Sequence, residues 1–441
     1  MSGGLAAAVG GALLAVLVVL RLPVAAALLI AGGLGFALVA GVEPLLHYLK
    51  GLGFGRFSNY DLISVPLFLL MGQLAAEGGL ASRLFEAARA WIGHRPGGLA
   101  LASVGACAGF GALCGSSLAT AGTLGRVAMP ALQQAGYAPA LATGALAAGG
   151  TLGILIPPSI VLVVFALVSE QNIAKLFLAA LVPGLLAAAG YLAVVALWLQ
   201  RDPAAGPPTP APSSAARWQA SRRVWPVLVM LGIVLGGLYG GVFTPVEAAA
   251  VGVLMSLTFG VLLGELAWPS IERALLGCGA TTAGIFLILL GADLFNAFLA
   301  LTQLPDRLTE ALATSGWPPL LILTAVLLGY LVLGCVMDSL SMVLLTVPLI
   351  FPMLMGLDFW GLPPEPKAIW LGILILTVVE IGLVTPPFGL NVFIIHSVAR
   401  DVPLRAIFAG VLPFLVSDLL RIALLVLFPA LSTFALEATR T

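Results

Sequence analysis

Two apolar stretches of this chain are each broken twice, first by a short polar turn and further on by a Pro-Pro pair, and no other feature restricts its fold as much. The first stretch, Gly111 to Ser159, reads GALCGSSLATAGTLGRVAMPALQQAGYAPALATGALAAGGTLGILIPPS, with its turn at Gly115-Ser116-Ser117 and its break at Pro157-Pro158-Ser159. The second carries GCVMDS, residues 334–339, and then VTPPF, residues 384–388. Backbone groups freed at such breaks find no water in hydrocarbon, so they persist only beside protein, a bound ion or a polar cavity. Paired interruptions at corresponding positions point to a carrier site between two repeats.

Composition places these stretches in a membrane. Of 441 residues 61% are hydrophobic and 9% charged, and mean hydropathy is +1.14; globular domains carry about 25% charge. The 19 basic residues balance the 19 acidic ones, which excludes nucleic acid as a partner by charge and leaves the lipid bilayer as the surroundings. Four cysteines and three histidines are dispersed, without metal-ligand spacing.

Along the chain, residues 1–61 hold two apolar runs, Leu5–Leu20 and Val24–Val42, read as membrane segments of a scaffold, followed by a loop from Glu43 to Asp61. No basic region precedes the first run, so no cleavable leader is expected. Residues 62–199 form the first repeat: an apolar segment, an amphipathic interfacial helix over Gly79–His94, and two runs near 15 residues that suit a re-entrant hairpin because about 20 are needed to span. A helix from Tyr137 to Ile156 then breaks at the prolines, and Leu176–Leu199 is a full span. Residues 200–223, rich in Pro, Ala and Ser and carrying Arg201, Arg217, Arg222 and Arg223 against Asp202, read as a cytoplasmic linker. Residues 224–441 supply further scaffold helices, with Thr244 capping one of them, and a second repeat in the same order of parts. In that order Gly291 echoes Gly72. The fold class is therefore an all-α polytopic membrane protein of two repeats, each with a re-entrant hairpin and a Pro-Pro-broken helix. Their inversion is inferred from the fold classes that use such breaks.

Hydroxyls of Ser116, Ser117, Ser339 and Thr385, freed backbone carbonyls and the Asp338 carboxylate are hard oxygen ligands suited to Na⁺. Half-helix N-termini after the breaks can face an anion. Candidate substrate contacts are Ser159, Thr385, Asn391 and Arg126, the last being either a counter-charge or an anchor paired with a carboxylate. The other charges inside apolar runs are Glu170, Glu247, Asp293, Glu380, Asp418 and Arg421, of which Asp418 and Arg421 are spaced to pair on one helix.

The run GSSLATAGTLGRVAMPALQQAGY, with GGTLGILIPPSIVLV, SEQNIAKLFLAALVPGLL, FTPVEAAAVG, LGCVMDSLSMVLLTVPLIFPM, GLDFWG and VTPPFGLNVF, resembles the large membrane subunit of tripartite ATP-independent periplasmic (TRAP) transporters. The resemblance runs from about Leu62 to Pro429. It implies an elevator-type carrier of the bacterial inner membrane, driven by a Na⁺ gradient with no cofactor. A periplasmic binding protein would deliver an organic anion, commonly a carboxylate, and a small four-helix membrane subunit would be a separate polypeptide. Carried over by motif, the cation-binding tips fall on Gly115, Ser116 and Ser117 with Pro157 and Pro158, and on Asp338 and Ser339 with Thr385, Pro386 and Pro387. Phe388 departs from the pattern, since a smaller residue is common there.

Two alternatives stand beside this reading. One is a self-sufficient Na⁺/carboxylate symporter or Na⁺/H⁺ antiporter of the same architecture. The other, a membrane-embedded enzyme, lacks a nucleophile with a base or paired catalytic acids, and His396 has no partner at useful spacing. A non-enzyme is expected.

Overall fold

In the computed structural model, which describes residues 3–314 and 316–437, the chain is helical, with no strand among the described residues. The first half runs α1 (Gly3–Val19), α2 (Val24–Ala40), α3 (Val42–Phe57), α4 (Ser64–Glu77), α5 (Leu80–Ile92), α6 (Gly98–Cys114), α7 (Ser117–Gln134), α8 (Pro139–Leu155), α9 (Ile160–Ser169) and α10 (Ile173–Arg201). After α11 (Ser214–Arg223) the second half runs α12 (Trp225–Tyr239), α13 (Pro245–Leu262), α14 (Trp268–Leu301), α15 (Leu304–Thr314), α16 (Pro319–Gly334), α17 (Ser339–Met355), α18 (Pro364–Gly382), α19 (Leu390–Val398), α20 (Leu404–Leu427) and α21 (Ala430–Glu437).

Four helices, α10, α13, α14 and α20, are individually long and apolar enough to cross a membrane. The helix pair α8 and α9 qualifies as a span bent by 43° at the first Pro-Pro. At 17 and 18 residues, α6 and α7 rise only about 25 Å each, short of a hydrocarbon core of roughly 30 Å. The outer helices leave large apolar side chains bare, among them Leu38, Leu262 and Val332 at 63–75% exposure. Such surface suits acyl chains and not water.

The core is built by the two repeats gripping each other. The hairpin α6–α7 packs on α8 and the hairpin α16–α17 on α18, while α17 crosses to α9 and α19 crosses to α7 and α8. Around this core α2 lies along α14, α4 along α13 and α14, and α20 between α8 and α10. Close helix contact in lipid relies on small residues, because packing and not water exclusion drives it. Each hairpin meets its broken helix through one glycine pair: a Cβ on Gly111 would lie 2.6 Å from the Gly153 Cα, and one on Gly382 would lie 2.5 Å from the Gly334 Cα.

One expectation is corrected here and two are extended. Residues 43–61 are not a loop: α3 fills most of the segment, and its Arg56 bonds Asp293 of α14 at 2.7 Å, which anchors that intramembrane acid. The 200–223 linker is partly helical and held to its neighbours. Ser213 caps α11 by accepting the Ala216 N–H, and the segment is bonded to its neighbours: Gly97 N–H to Gly206 carbonyl and Ala138 N–H to Ala205 carbonyl, both at 2.8 Å, and Trp91 to the Ser221 hydroxyl at 2.7 Å. Backbone bonds to the α5–α8 corners order this linker. The echo of Gly72 in Gly291 is one of order along the chain and not of packing: Gly72 lies against Cys114 beside the first turn, and Gly291 lies against Ala25 and Leu28 of α2.

Thr244 caps α13 as expected, in a full capping box with Glu247: the hydroxyl accepts the Glu247 N–H at 3.3 Å and the carboxylate accepts the Thr244 N–H at 2.8 Å. Removing the hydroxyl in Thr244→Ala should cost about 1 kcal/mol and lower the Tm of the purified protein by about 1 °C. An unchanged Tm would mean that the bilayer-embedded part of α13 alone holds the turn.

Candidate functional site

The first turn is made by backbone conformation. α6 ends at Cys114, Gly115 takes φ +63° and returns its N–H to the Gly111 carbonyl at 2.8 Å, and Ser116 turns extended to cap α7. Gly115 is needed there, since a left-handed residue at a helix end strains any side chain with a Cβ. Its carbonyl accepts the Ile160 N–H at 3.2 Å, so the turn is seated on the break between α8 and α9. At that break Pro157 and Pro158 are joined by a cis bond, and Ser159, fully buried, caps α9 by accepting the Leu162 N–H. Neither proline has an N–H, so the Gly153 and Ile154 carbonyls lose their usual donors four residues on. Thr120 Oγ1 is buried with no partner, and together with the Ser116 carbonyl it converges on Gly153: a Cβ there would lie 2.6 and 2.8 Å from these two oxygens. The oxygens gathered at this point are of the hard kind that suits Na⁺.

The second turn solves the same problem with different residues. Asp338 caps α17, its carboxylate accepting the Ser341 N–H at 3.1 Å and the Ser341 hydroxyl. The Cys335 thiol has one proton and two carbonyls in reach, Leu331 of its own helix at 3.2 Å and Pro386 at 3.5 Å, so it is the close Gly334–Gly382 contact that sets this turn against its own repeat's broken helix. Pro386 and Pro387 are also joined by a cis bond. Freed carbonyls were expected here, but the chain occupies two of them: Thr385 N–H reaches the Gly382 carbonyl at 3.2 Å, and Asn391 N–H reaches the Leu383 carbonyl at 3.0 Å. The Thr385 hydroxyl bonds back to the Ile381 carbonyl at 2.6 Å. Phe388 explains a local difference. Where Ser159 caps α9, phenylalanine has no acceptor to offer, and Gly389, at φ +56°, opens α19 without a side-chain cap.

The two breaks also differ in access. Residues 156–159 are buried throughout, whereas Pro386, Pro387 and Phe388 are exposed and Thr385 is half-buried. The substrate candidates are spread accordingly. Asn391 is fully buried and donates to the Ala147 carbonyl at 3.2 Å. Arg126 is exposed on α7, nine residues or about 14 Å beyond Ser117, and it makes no ion pair among the described residues, so the carboxylate anchor expected for it is absent.

Sequence reasoning left Glu380 as one isolated charge among eight. The structure buries it completely on α18, where its Oε2 accepts the Ser117 hydroxyl of the opposite repeat. Nearby, Asp418 and Arg421 of α20 pair at 2.9 Å as their spacing suggested, and Asp418 also accepts the Tyr191 hydroxyl at 2.9 Å, which meets Thr151 at 2.8 Å. No spacing rule links α10, α18 and α20, so this cluster was out of reach of sequence. Among the described residues no group of three His, Cys, Asp or Glu side chains could hold a metal ion.

Comparison with known proteins now bears on this arrangement. Residues 12–431 match the family described as "Tripartite ATP-independent periplasmic transporter, DctM component". The chain is 37% identical to the C4-dicarboxylate TRAP transporter large permease protein DctM of Pseudomonas aeruginosa, covering 86% of this chain and 87% of that one. It is 33% identical to the sialic acid TRAP transporter large permease protein SiaM of Vibrio cholerae (85% and 86% covered), and 30% identical to the ectoine TRAP transporter large permease protein TeaC of Halomonas elongata (94% of each). In fold it is similar to the YdaH transporter of Alcanivorax borkumensis, with a TM-score of 0.62 at 19% identity over 89% of this chain and 90% of that chain.

Proposed function

The chain belongs to the DctM-component family of tripartite ATP-independent periplasmic transporters, permeases of the inner membrane, and from that premise we propose that it is the large subunit of a Na⁺-coupled uptake system for an organic anion. The observation that carries this reading is that each polar turn lies against the broken helix of its own repeat, by the Gly115 carbonyl accepting the Ile160 N–H and by Gly334 packed on Gly382. Oxygens at the first seat, from Ser116, Ser117, Thr120 and the Gly153 and Ile154 carbonyls, are suited to one Na⁺; Asp338, Ser339 and Thr385 would serve a second. Half-helix N-termini at Ser117, Ile160, Ser339 and Leu390 favour an anion between them.

The repeats would then be inverted and would carry the load as an elevator against the outer helices. A periplasmic binding protein would deliver the substrate, and a small four-helix membrane subunit would complete the scaffold. Relatives named for C4-dicarboxylates, sialic acid and ectoine have a carboxylate on their substrates and one named for isethionate has a sulfonate, so a small organic acid is the substrate class proposed, with a C4-dicarboxylate first because of the DctM relatives.

The test is uptake of labelled C4-dicarboxylate, sialic acid and ectoine into proteoliposomes holding this chain and its candidate small subunit. Binding protein and an inward Na⁺ gradient are each added or left out. Uptake that needs both supports the reading; uptake without the binding protein moves the chain to the self-sufficient carriers, and no response to Na⁺ removes the coupling ion. In the same assay Asp338→Ala should raise the Na⁺ concentration for half-maximal uptake several-fold. Asp338→Asn keeps a good helix cap and so isolates the carboxylate's part. Wild-type Na⁺ activation in both variants would remove Asp338 from the site.

A further inference from the structure

Glu380 stands one turn ahead of the second break, on the helix that leads into it, and its one hydrogen bond runs to the first turn. Its Oε2 accepts the Ser117 hydroxyl and its Oε1 meets no protein donor. Arg421 and Asp418 lie within electrostatic reach, but their closest contact is with each other. The matching position of the first repeat, two residues before the glycine of the helix contact, is Thr151, which bonds Tyr191 of α10 and the carbonyl of Ala148 on its own helix. Thus α18 reaches across to the opposite turn, and α8 has no such side-chain bond to the second turn among the described residues.

A second tie runs the same way. Asn391 of α19, just past the second break, donates to the Ala147 carbonyl in the middle of α8, the helix that leads into the first. Both helices that flank the second break are therefore hydrogen-bonded to the elements that form the first. Ser117 gains from its own bond. A hydroxyl has one hydrogen and two lone pairs, and with the hydrogen held by Glu380 only lone pairs face anything else that approaches.

We propose that Glu380 is a positioning residue that couples the two breaks: it fixes Ser117 as an oxygen donor at the first turn, and it does so from the helix whose end shapes the second. Filling one site then prepares the other, and two cations bind cooperatively. This rests on the Na⁺ reading above, and the experiment separates the two.

The probe is NaCl against choline chloride at constant ionic strength, with two readouts: the thermal unfolding midpoint of the purified chain and the Na⁺ activation of uptake in the reconstituted complex. Wild type should respond to Na⁺ along a sigmoidal curve; a response identical in choline defeats the Na⁺ reading and this proposal with it. Given a wild-type response, Glu380→Gln, which keeps the volume, should raise half-saturation about tenfold and bring the Hill coefficient close to 1. The double variant Ser117→Ala/Glu380→Gln should be no worse than the worse single one, because the pair acts as a unit. Unchanged half-saturation and Hill coefficient in Glu380→Gln, or losses that add in the double variant, overturn the proposal. If Glu380→Gln does not reach the membrane, Glu380→Asp, which leaves the Ser117 hydroxyl in place and draws the carboxylate back from it, decides: a Hill coefficient near 1 supports the coupling and a wild-type one overturns it.

Discussion

Arg421→Met should destabilise the inserted protein by about 3–5 kcal/mol, seen as a large drop in Tm and in the yield of monodisperse protein. Arg421 and Asp418 lie one turn apart on α20, with side-chain exposures of 6% and 1%, and their 2.9 Å contact leaves each as the other's nearest counter-charge. Deleting the cation strands the Asp418 carboxylate beside Glu380, with only the Tyr191 hydroxyl to solvate it. An ion left unpaired in a medium of low polarity loses far more than the pair contributed. The double variant Asp418→Asn/Arg421→Met removes both charges and keeps an acceptor for Tyr191, so it should recover most of the loss. If the double variant is as unstable as Arg421→Met, the damage comes from lost packing of the long arginine stem and not from charge.

Gly382→Val should abolish uptake, by at least tenfold, while the protein still enters the membrane. The first carbon of any side chain at 382 would sit 2.5 Å from the Cα and 2.8 Å from the carbonyl carbon of Gly334. Backbone cannot swing aside as a side chain does, so α16 and α18 must separate. Overpacking of this kind costs about 1–3 kcal/mol, and the displacement falls four residues from both Asp338 and Pro386. Gly153→Val attacks the first repeat in the same way, meeting Thr120 Oγ1 and the Ser116 carbonyl. Gly329→Val, on the same α16 as Gly334 but facing open space, is the control and should transport normally. Wild-type uptake by Gly382→Val would mean that the helix contact is looser than the structure has it.

Much of this was legible before any coordinates. Pro-Pro pairs and glycine-rich turns announce themselves because proline deletes a donor and glycine takes φ near +60° more readily than any other residue; hence α8–α9, α18–α19 and both hairpins fell close to where the structure has them. Thr244 and the Asp418–Arg421 pair were legible because their partners lie within four residues. What sequence missed is long-range. Arg56 meets Asp293, Glu380 meets Ser117 and Trp91 meets Ser221 across intervals that no periodicity encodes. The bonds that order residues 200–223 were missed for a related reason, since composition is blind to backbone pairing.

Gly97 and Ala138 stand at the two feet of the first hairpin, one just before α6 and the other just after α7, and the segment joining the repeats is bonded to both through Gly206 and Ala205. A hairpin stapled across its feet cannot splay there. On the carrier reading proposed above, an opening of the first turn would then bend α6 and α7 above their feet, and the strap between the halves would move with the hairpin's base.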